Sequence, residues 1–539
     1  MSPRRPTASD RQGFDRRWFA PALEQVFSPR SGEAVRQAWQ DAIDGGAQPG
    51  EIQITSGRHC YEGFVYNERT RFVIDTTGLL DVVDHPDLGH GIGTGFDNWG
   101  MYRVFQNLYG RTLPAGSCYS VGLGGHITGG GYGLLSRLHG LTVDHLTGVD
   151  IVVNRGGKPE FLEGVSADNA PDLFWAIRGG GGGNFGVITR YYFGSPPLSP
   201  NKMYTAAFAI KWTAIANAQH FGEILEAFGS FFAGPANAEN RNIFAEIHAN
   251  HVDAGSISIP IFAYDDPALG LSATECDDQV RHAINDLGGR ILDTVKLSSY
   301  PGRLAPHRPH DTRLLRPVDD SATYRQYTYL SGTQNVDGSG PNQFGKYKSA
   351  YMNDLFTPTM VEALYEGLNE QIEGIDFSSS LVQIDSYGGA INDIAADATP
   401  IPQRSSILKL QYQTYWDNDC PVGQDDPVQQ AAHVDWINRI YTNTYADYGG
   451  FPDPKRNPPG RDEVDGAYFN YPDVYLGTHG PSGPDNPGID FAMDLYFKQN
   501  WRERALPFDP ANPATYNLQD IKRRWNPEDW FRSAQSVPV

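Results

Sequence analysis

Leu113–Tyr132 reads LPAGSCYSVGLGGHITGGGY, and the rest of the chain is organised around it. A single cysteine, Cys118, stands in a run dense in glycine. Glycine has no Cβ, so its backbone bends tightly and comes close to a ligand. A cysteine in such a loop sits where a bound ligand would touch it. Upstream, Gln53–Gly63 reads QITSGRHCYEG and sets His59 in a similar loop, 59 residues before Cys118. By residue type alone, His59 reads as a satisfied loop histidine and Cys118 as a buried thiol.

Around these loops the chain alternates helices and strands. Ser31 to Ile43 has apolar residues at helical spacing, with Ser31 as N-cap and Gly45 as the stop. Short strands are expected at Glu51–Thr55 and Arg71–Asp75, a helix at Trp99–Leu108, a buried strand at Val149–Asn154 and a helix at Asp172–Arg178. Five glycines follow, Gly179–Gly183, then Asn184, Phe185 and Gly186. Gly181, Gly183 and Gly186 fit the spacing of a dinucleotide fingerprint. That fingerprint requires a strand before it and a helix after it, and here VITRYYF follows, which reads as a strand. A Rossmann unit is therefore rejected.

From Lys202 the texture changes to successive strands (KMYTAAFAIKW, NIFAEIHANH, SISIPIFAY, Ser379–Ala390, Ser405–Trp416). Helices are expected at Ala268–Leu287, Thr359–Gly374 and Asp426–Tyr448. Strands in succession with helices between them suggest an antiparallel sheet backed by helices. Pro301–Pro317 shows no periodicity and reads as a long loop, an insertion rather than a lid.

A chain of 539 residues exceeds one simple core. Net charge is −21, which argues against nucleic acid or an anionic membrane as partner. Four cysteines make no disulfide framework, and Cys60, Cys276 and Cys420 read as packing. No C-x-x-C or H-E-x-x-H pattern occurs, so no catalytic metal is expected; His139 and His145 are spaced too loosely. The first residues lack an apolar signal region, and no apolar run is long enough to span a membrane. A soluble cytoplasmic protein is the expectation.

Two segments carry a resemblance. SGRHCYEG resembles the R-S-G-G-H-S-Y-x-G segment of the berberine bridge enzyme-like flavoproteins, of the vanillyl alcohol oxidase / p-cresol methylhydroxylase superfamily. PAGSCYSVGLGGHITGGGYG resembles the same family's G-x-C-x-x-V-G-x-G-G-H-x-x-G-G-G-x-G segment. DLFWAIRGGGGGNFGVIT, AYFNYPD and RRWNPEDWFR resemble further family segments, and the likeness is weakest around residues 300–345. The resemblance implies an α+β chain with a two-part FAD-binding domain, 1–198 and 463–539, around a substrate domain, 199–462. It also implies FAD bonded to His59 through the 8α methyl carbon and to Cys118 through C6. Imidazole and thiolate are the side-chain nucleophiles suited to an electron-poor ring. Cofactor contacts are expected from Ser56, Gly57, Arg58, Gly116, Ser117, Val121, Gly122, Gly125, His126, Gly129 and Asn470. Gly183, Asn184, Gly186 and Val187 are expected near the pyrophosphate, where backbone N–H groups bind anions.

The implied activity is oxidation of an alcohol or hemiacetal carbon of a sugar or glycosylated natural product. Hydride passes to flavin N5 and dioxygen becomes hydrogen peroxide, with Val121 as the family's mark of oxygen reactivity. Oxidative cyclisation or desaturation by the same flavin is the alternative within redox chemistry, and a non-catalytic flavin-binding protein the alternative outside it. The substrate hydroxyl must lose a proton to a group in hydrogen-bond reach. The resemblance gives that role to Tyr471, whose pKa near 10 needs lowering by a neighbour. Tyr132 is expected as a second polar group near the flavin. Gln383 is expected to orient Tyr471 or the substrate, and Asp385, two residues on along the same strand face, is a less favoured base.

Overall fold

A computed structural model describes residues 4–295, 325–336, 338, 340–416, 426–483, 486–502 and 506–539. The Pro301–Pro317 segment and Cys420 lie outside the described residues.

The chain is α+β and builds three sheets. Gln25–Phe27, Phe72–Asp75 and Ile52–Thr55 form a small parallel sheet. The helix Gly32–Asp44 packs against it and buries Val35, Ala38, Trp39 and Ala42. Its ends follow the sequence: Ser31 Oγ accepts from the Ala34 N–H, and Gly45 closes the last turn. A five-stranded antiparallel sheet follows in the order Val82–His85, Gly89–Gly93, Val187–Phe193, Leu146–Arg155, Lys158–Val165. Val187–Phe193 is thus a strand, which is why the glycine run cannot open a Rossmann helix.

The third sheet has seven strands, all antiparallel, in the order Arg325–Thr328, Lys202–Lys211, Ser256–Tyr264, Ile243–Asn250, Leu381–Ser386, Leu408–Trp416, Phe344–Met352. The helices Ala218–Phe232, Ala273–Val295, Pro358–Asn369 and Pro427–Thr444 back it. Phe344–Met352 was not legible as a strand, because FGKYKSAYM places two lysines in its middle. Every residue of it is buried. The lysines are accommodated because Lys346 Nζ donates to Glu62 and Asp473 and Lys348 Nζ donates to Asp473. Buried charge survives only when paired in this way.

The tail returns to the first sheets. Trp525 Nε1 donates to Asp172 at 3.0 Å, Asn526 Nδ2 to the Asn184 carbonyl at 3.1 Å, and the Val537 N–H to Asn184 Oδ1 at 2.9 Å. Four expected helices shift by more than one residue: Thr359–Gly374 is observed as Pro358–Asn369 and Asp426–Tyr448 as Pro427–Thr444, and two others move at their starts or in kind. Trp99–Leu108 is observed as Asn98–Val104 running into a π turn, Phe105–Tyr109. Ala268–Leu287 starts later and ends later, at Ala273–Val295, because Pro267–Leu269 is a separate turn closed by Gly270.

Candidate active site

A cleft with about 1910 Å³ of empty space, open mouth included, runs between the five-stranded and seven-stranded sheets. His59 and Cys118 both line it. Their loops are joined: His59 Nε2 lies 2.9 Å from Ser120 Oγ, and Gly57 packs against Gly122. A Cβ on Gly57 would lie 2.1 Å from the Gly122 nitrogen, so neither position admits a side chain. His126 stands behind the Cys118 loop. Its Nε2 accepts from the Gly116 N–H at 3.0 Å, and burial pushes it down to about pKa 4, so it is a neutral acceptor that shapes the loop.

Ser56, Gly116, Ser117, Val121, Gly122, Gly125 and Asn470 line the cleft with these loops, and Gly183, Asn184, Gly186 and Val187 line it on the five-stranded-sheet side. Arg58 also lines the cleft, with its guanidinium held by Asp75 at 2.9 Å and Asp10 at 3.5 Å. One expected contact is corrected. Gly129 does not line the cleft; it gives room to Asn470, whose Oδ1 would lie 2.0 Å from a Cβ there. Burial pushes the Cys60 thiol up to about 12, away from the thiolate form.

The other end of the cleft is walled by the middle of the seven-stranded sheet. Cross-strand register sets Glu246, Asp385 and Lys409 in one row and His248, Gln383 and Gln411 in the next. Lys409 Nζ donates to Asp385 at 2.6 Å and lies 4.4 Å from the ring centroids of both Tyr132 and Tyr471. A cation over two aromatic faces is held electrostatically. Lys409 was missed from sequence. Its signal was the alternation Lys409, Gln411, Gln413 between Leu410 and Tyr412, which marks one polar strand face.

Tyr471 lines the cleft, tilted against Tyr61 at 5.7 Å and edge-on to Tyr468 at 4.9 Å. Burial raises its phenol well above the usual range, and Tyr61 and Asp385 add to this. The expected lowering neighbour is thus only partly met: Lys409 is placed to lower it, while burial and Asp385 prevail. Tyr132 is corrected. Its hydroxyl donates to the Ser386 carbonyl at 2.9 Å, so its ring, not its oxygen, addresses Lys409. Both ends of the Gln383 amide are engaged away from Tyr471: Nε2 donates to Asp385 at 2.7 Å, and Oε1 accepts from Gln413 at 3.0 Å. Among the described residues no group of His, Cys, Asp and Glu forms a metal site, and no helix is long and apolar enough to cross a membrane.

Residues 23–158 match the FAD binding domain family. The chain is 34% identical to the hexose oxidase of Chondrus crispus, over 100% of this chain and 94% of that protein. It belongs to the berberine bridge enzyme-like family of FAD oxidases. A second family member, the aclacinomycin-N/aclacinomycin-A oxidase of Streptomyces galilaeus, is 30% identical over 98% of this chain and 87% of its own. Among solved structures, a glycopeptide hexose oxidase complexed with teicoplanin matches with a TM-score of 0.79 at 27% identity, covering 100% of this chain and 99% of that one. As a member of the berberine bridge enzyme-like family, the protein is an FAD-dependent oxidoreductase. Its cleft fits the cofactor: at Gly125, which lines it, nothing lies within 4 Å of where a Cβ would stand, so a flat ring can approach the backbone there.

Proposed function

We propose that this oxidase acts on a CH–OH carbon of a sugar or glycosylated natural product, with FAD bonded to His59 and Cys118 and dioxygen as electron acceptor. The observation that carries the reading is the Tyr471–Lys409 stack on the same cleft as His59 and Cys118. The hexose oxidase and aclacinomycin oxidase relatives support the substrate class. In this reading residues 1–198 and 463–539 hold the cofactor and 199–462 the substrate.

When bound, FAD supplies the electron sink that accepts hydride at N5 and yields its electrons to oxygen. Ser56, Gly57, Gly116, Ser117, Gly122 and Gly125 would hold the ring, with Asn470 beside them. Gly183, Asn184, Gly186 and Val187 would hold the phosphate end through backbone N–H groups. Val121 keeps a small apolar wall where oxygen approaches. Tyr471 accepts the substrate hydroxyl proton. Lys409 favours the phenolate this requires, and Asp385 restrains it by holding the ammonium. Glu246 and Gln383 lie on the same cleft wall, where a ligand rich in hydroxyls would meet a polar face.

The test begins with acid precipitation of the purified protein. A yellow pellet with added FAD mass, kept in Cys118→Ala and in His59→Ala and lost in the double variant, is the expected result. Peroxide release with a panel of hexoses and glycosides then follows. A colourless pellet overturns double attachment, and a full panel without flavin reduction overturns the oxidase reading.

A further inference from the structure

The segment before residue 23 lies ahead of the matched FAD-binding region, yet it grips the His59 loop at successive residues. The Arg58 carbonyl accepts from the Phe14 N–H at 2.8 Å. The Phe14 ring stacks on the His59 imidazole, centroids 4.7 Å apart and planes 28° apart. The Tyr61 carbonyl accepts from Arg17 at 3.1 Å and from Trp18 Nε1 at 3.3 Å, and Glu62 lies 3.6 Å from Arg17. Gly13 is pressed so closely on this loop that a Cβ would lie 2.7 Å from the Arg58 carbonyl oxygen. The other side of the arm is tied to the substrate sheet's edge. The Phe14 carbonyl accepts from the Gln343 N–H, and the Gln343 carbonyl accepts from the Arg16 N–H, both at 2.9 Å.

We propose that this N-terminal arm is a clamp that sets His59 for flavin attachment, with Phe14 as its positioning residue. The inference rests on the reading that His59 bonds to FAD. That bond replaces one hydrogen of the flavin methyl group by a ring nitrogen of His59. The imidazole N–H and one methyl C–H leave as two protons, and the two electrons left on the flavin reduce dioxygen to hydrogen peroxide. The imidazole must face the methyl carbon while this occurs, and a loop histidine has two side-chain torsions free to turn it away. Phe14 closes one face of the ring, and Ser120 holds Nε2 on the opposite loop. The arm also couples the attachment site to the substrate sheet through Gln343.

The experiment separates the two bonds. Protein made under flavin limitation receives FAD, and the fraction of chains keeping FAD mass after acid denaturation is followed with time. In a Cys118→Ala background, which isolates the His59 bond, Phe14→Ala is expected to slow linkage on the order of tenfold to a hundredfold, as a displaced reacting group does. Phe14→Tyr, which keeps the ring, is expected to link at the parent rate. In a His59→Ala background, which isolates the Cys118 bond, Phe14→Ala is expected to change nothing. Parent-rate linkage of Phe14→Ala in the Cys118→Ala background overturns the clamp. Equal slowing in both backgrounds also overturns it, since the whole cleft is then disturbed. If Cys118→Ala alone never carries FAD mass, the His59 attachment itself has failed, and the clamp falls with it.

Discussion

Lys409→Met removes the ammonium stacked on Tyr471. Nζ lies 4.4 Å from the ring centroid and farther from the oxygen that carries most of a phenolate's charge, so the attraction is at most about 4 kcal/mol in an effective dielectric of about 20. That is equivalent to about 3 pKa units on the phenol. Asp385, 2.6 Å from Nζ, takes back part of it, so the working expectation is a rise of about one to three units. The sign is fixed: loss of a cation disfavours phenolate, so the pH limb along which turnover rises moves to higher pH. Below the limb each unit is a tenfold loss, giving about 10- to 1000-fold slower flavin reduction at neutral pH, recovered in alkali. The assay is anaerobic stopped-flow reduction at saturating substrate across pH, which reports the ionisation in the bound complex. Asp385→Asn removes the opposing anion and is expected to move the same limb to lower pH. Flavin retention and Tm are measured alongside, since breaking a buried pair destabilises by about 3–5 kcal/mol. A Lys409→Met limb at the parent position, in folded and flavin-loaded protein, refutes the electrostatic role. So does a shift of both variants in the same direction.

Three further outcomes follow from the geometry. Tyr471→Phe is expected to lower the rate of flavin reduction by about 10²–10⁴-fold while the acid-stable flavin is unchanged, read by stopped flow and mass. Gly122→Ala places a Cβ 2.2 Å from the Gly57 nitrogen, so FAD content of the purified protein is expected to drop sharply, read from its visible absorbance. Asp473 is held down to about 2, against the burial that would raise it, by Lys346 and Lys348. Its stability contribution is therefore full above about pH 4 and lost as pH falls towards its folded value. Asp473→Asn should flatten acid denaturation in that window and, by stranding buried Lys348 and leaving Lys346 with Glu62 alone, lower stability by about 3–5 kcal/mol, read by urea unfolding across pH.

Local physics made part of this legible. Ser31 and Gly45 bound a helix by capping chemistry, and VITRYYF declared a strand through its β-formers, which sufficed to reject the Rossmann unit. His59 and Cys118 were readable because the loops that hold them are glycine-dense and resemble family segments. The FAD family itself followed from those segments. Phe344–Met352 was not readable, because its lysines are neutralised by Glu62 and Asp473, far along the chain. Lys409 could be seen as polar, but its place over Tyr471 depends on pairing with Asp385 across two strands. The Phe14 arm has no periodicity at all. Its conformation is imposed by residues 58–62 and 343, which no local pattern reveals.

The pairing of Asp385 with Lys409 has a consequence for how the sheet assembles. The two residues face each other in direct register between interior strands. A slip of one residue sends them to opposite faces. A slip of two keeps the faces but sets Lys409 opposite Gln383 or Tyr387, stranding both charges. A misaligned sheet thus carries an energetic fault at its centre that the native register does not. The ion pair beneath Tyr471 therefore also specifies how the two central strands align, so one contact shapes both the cleft wall and the sheet that carries it.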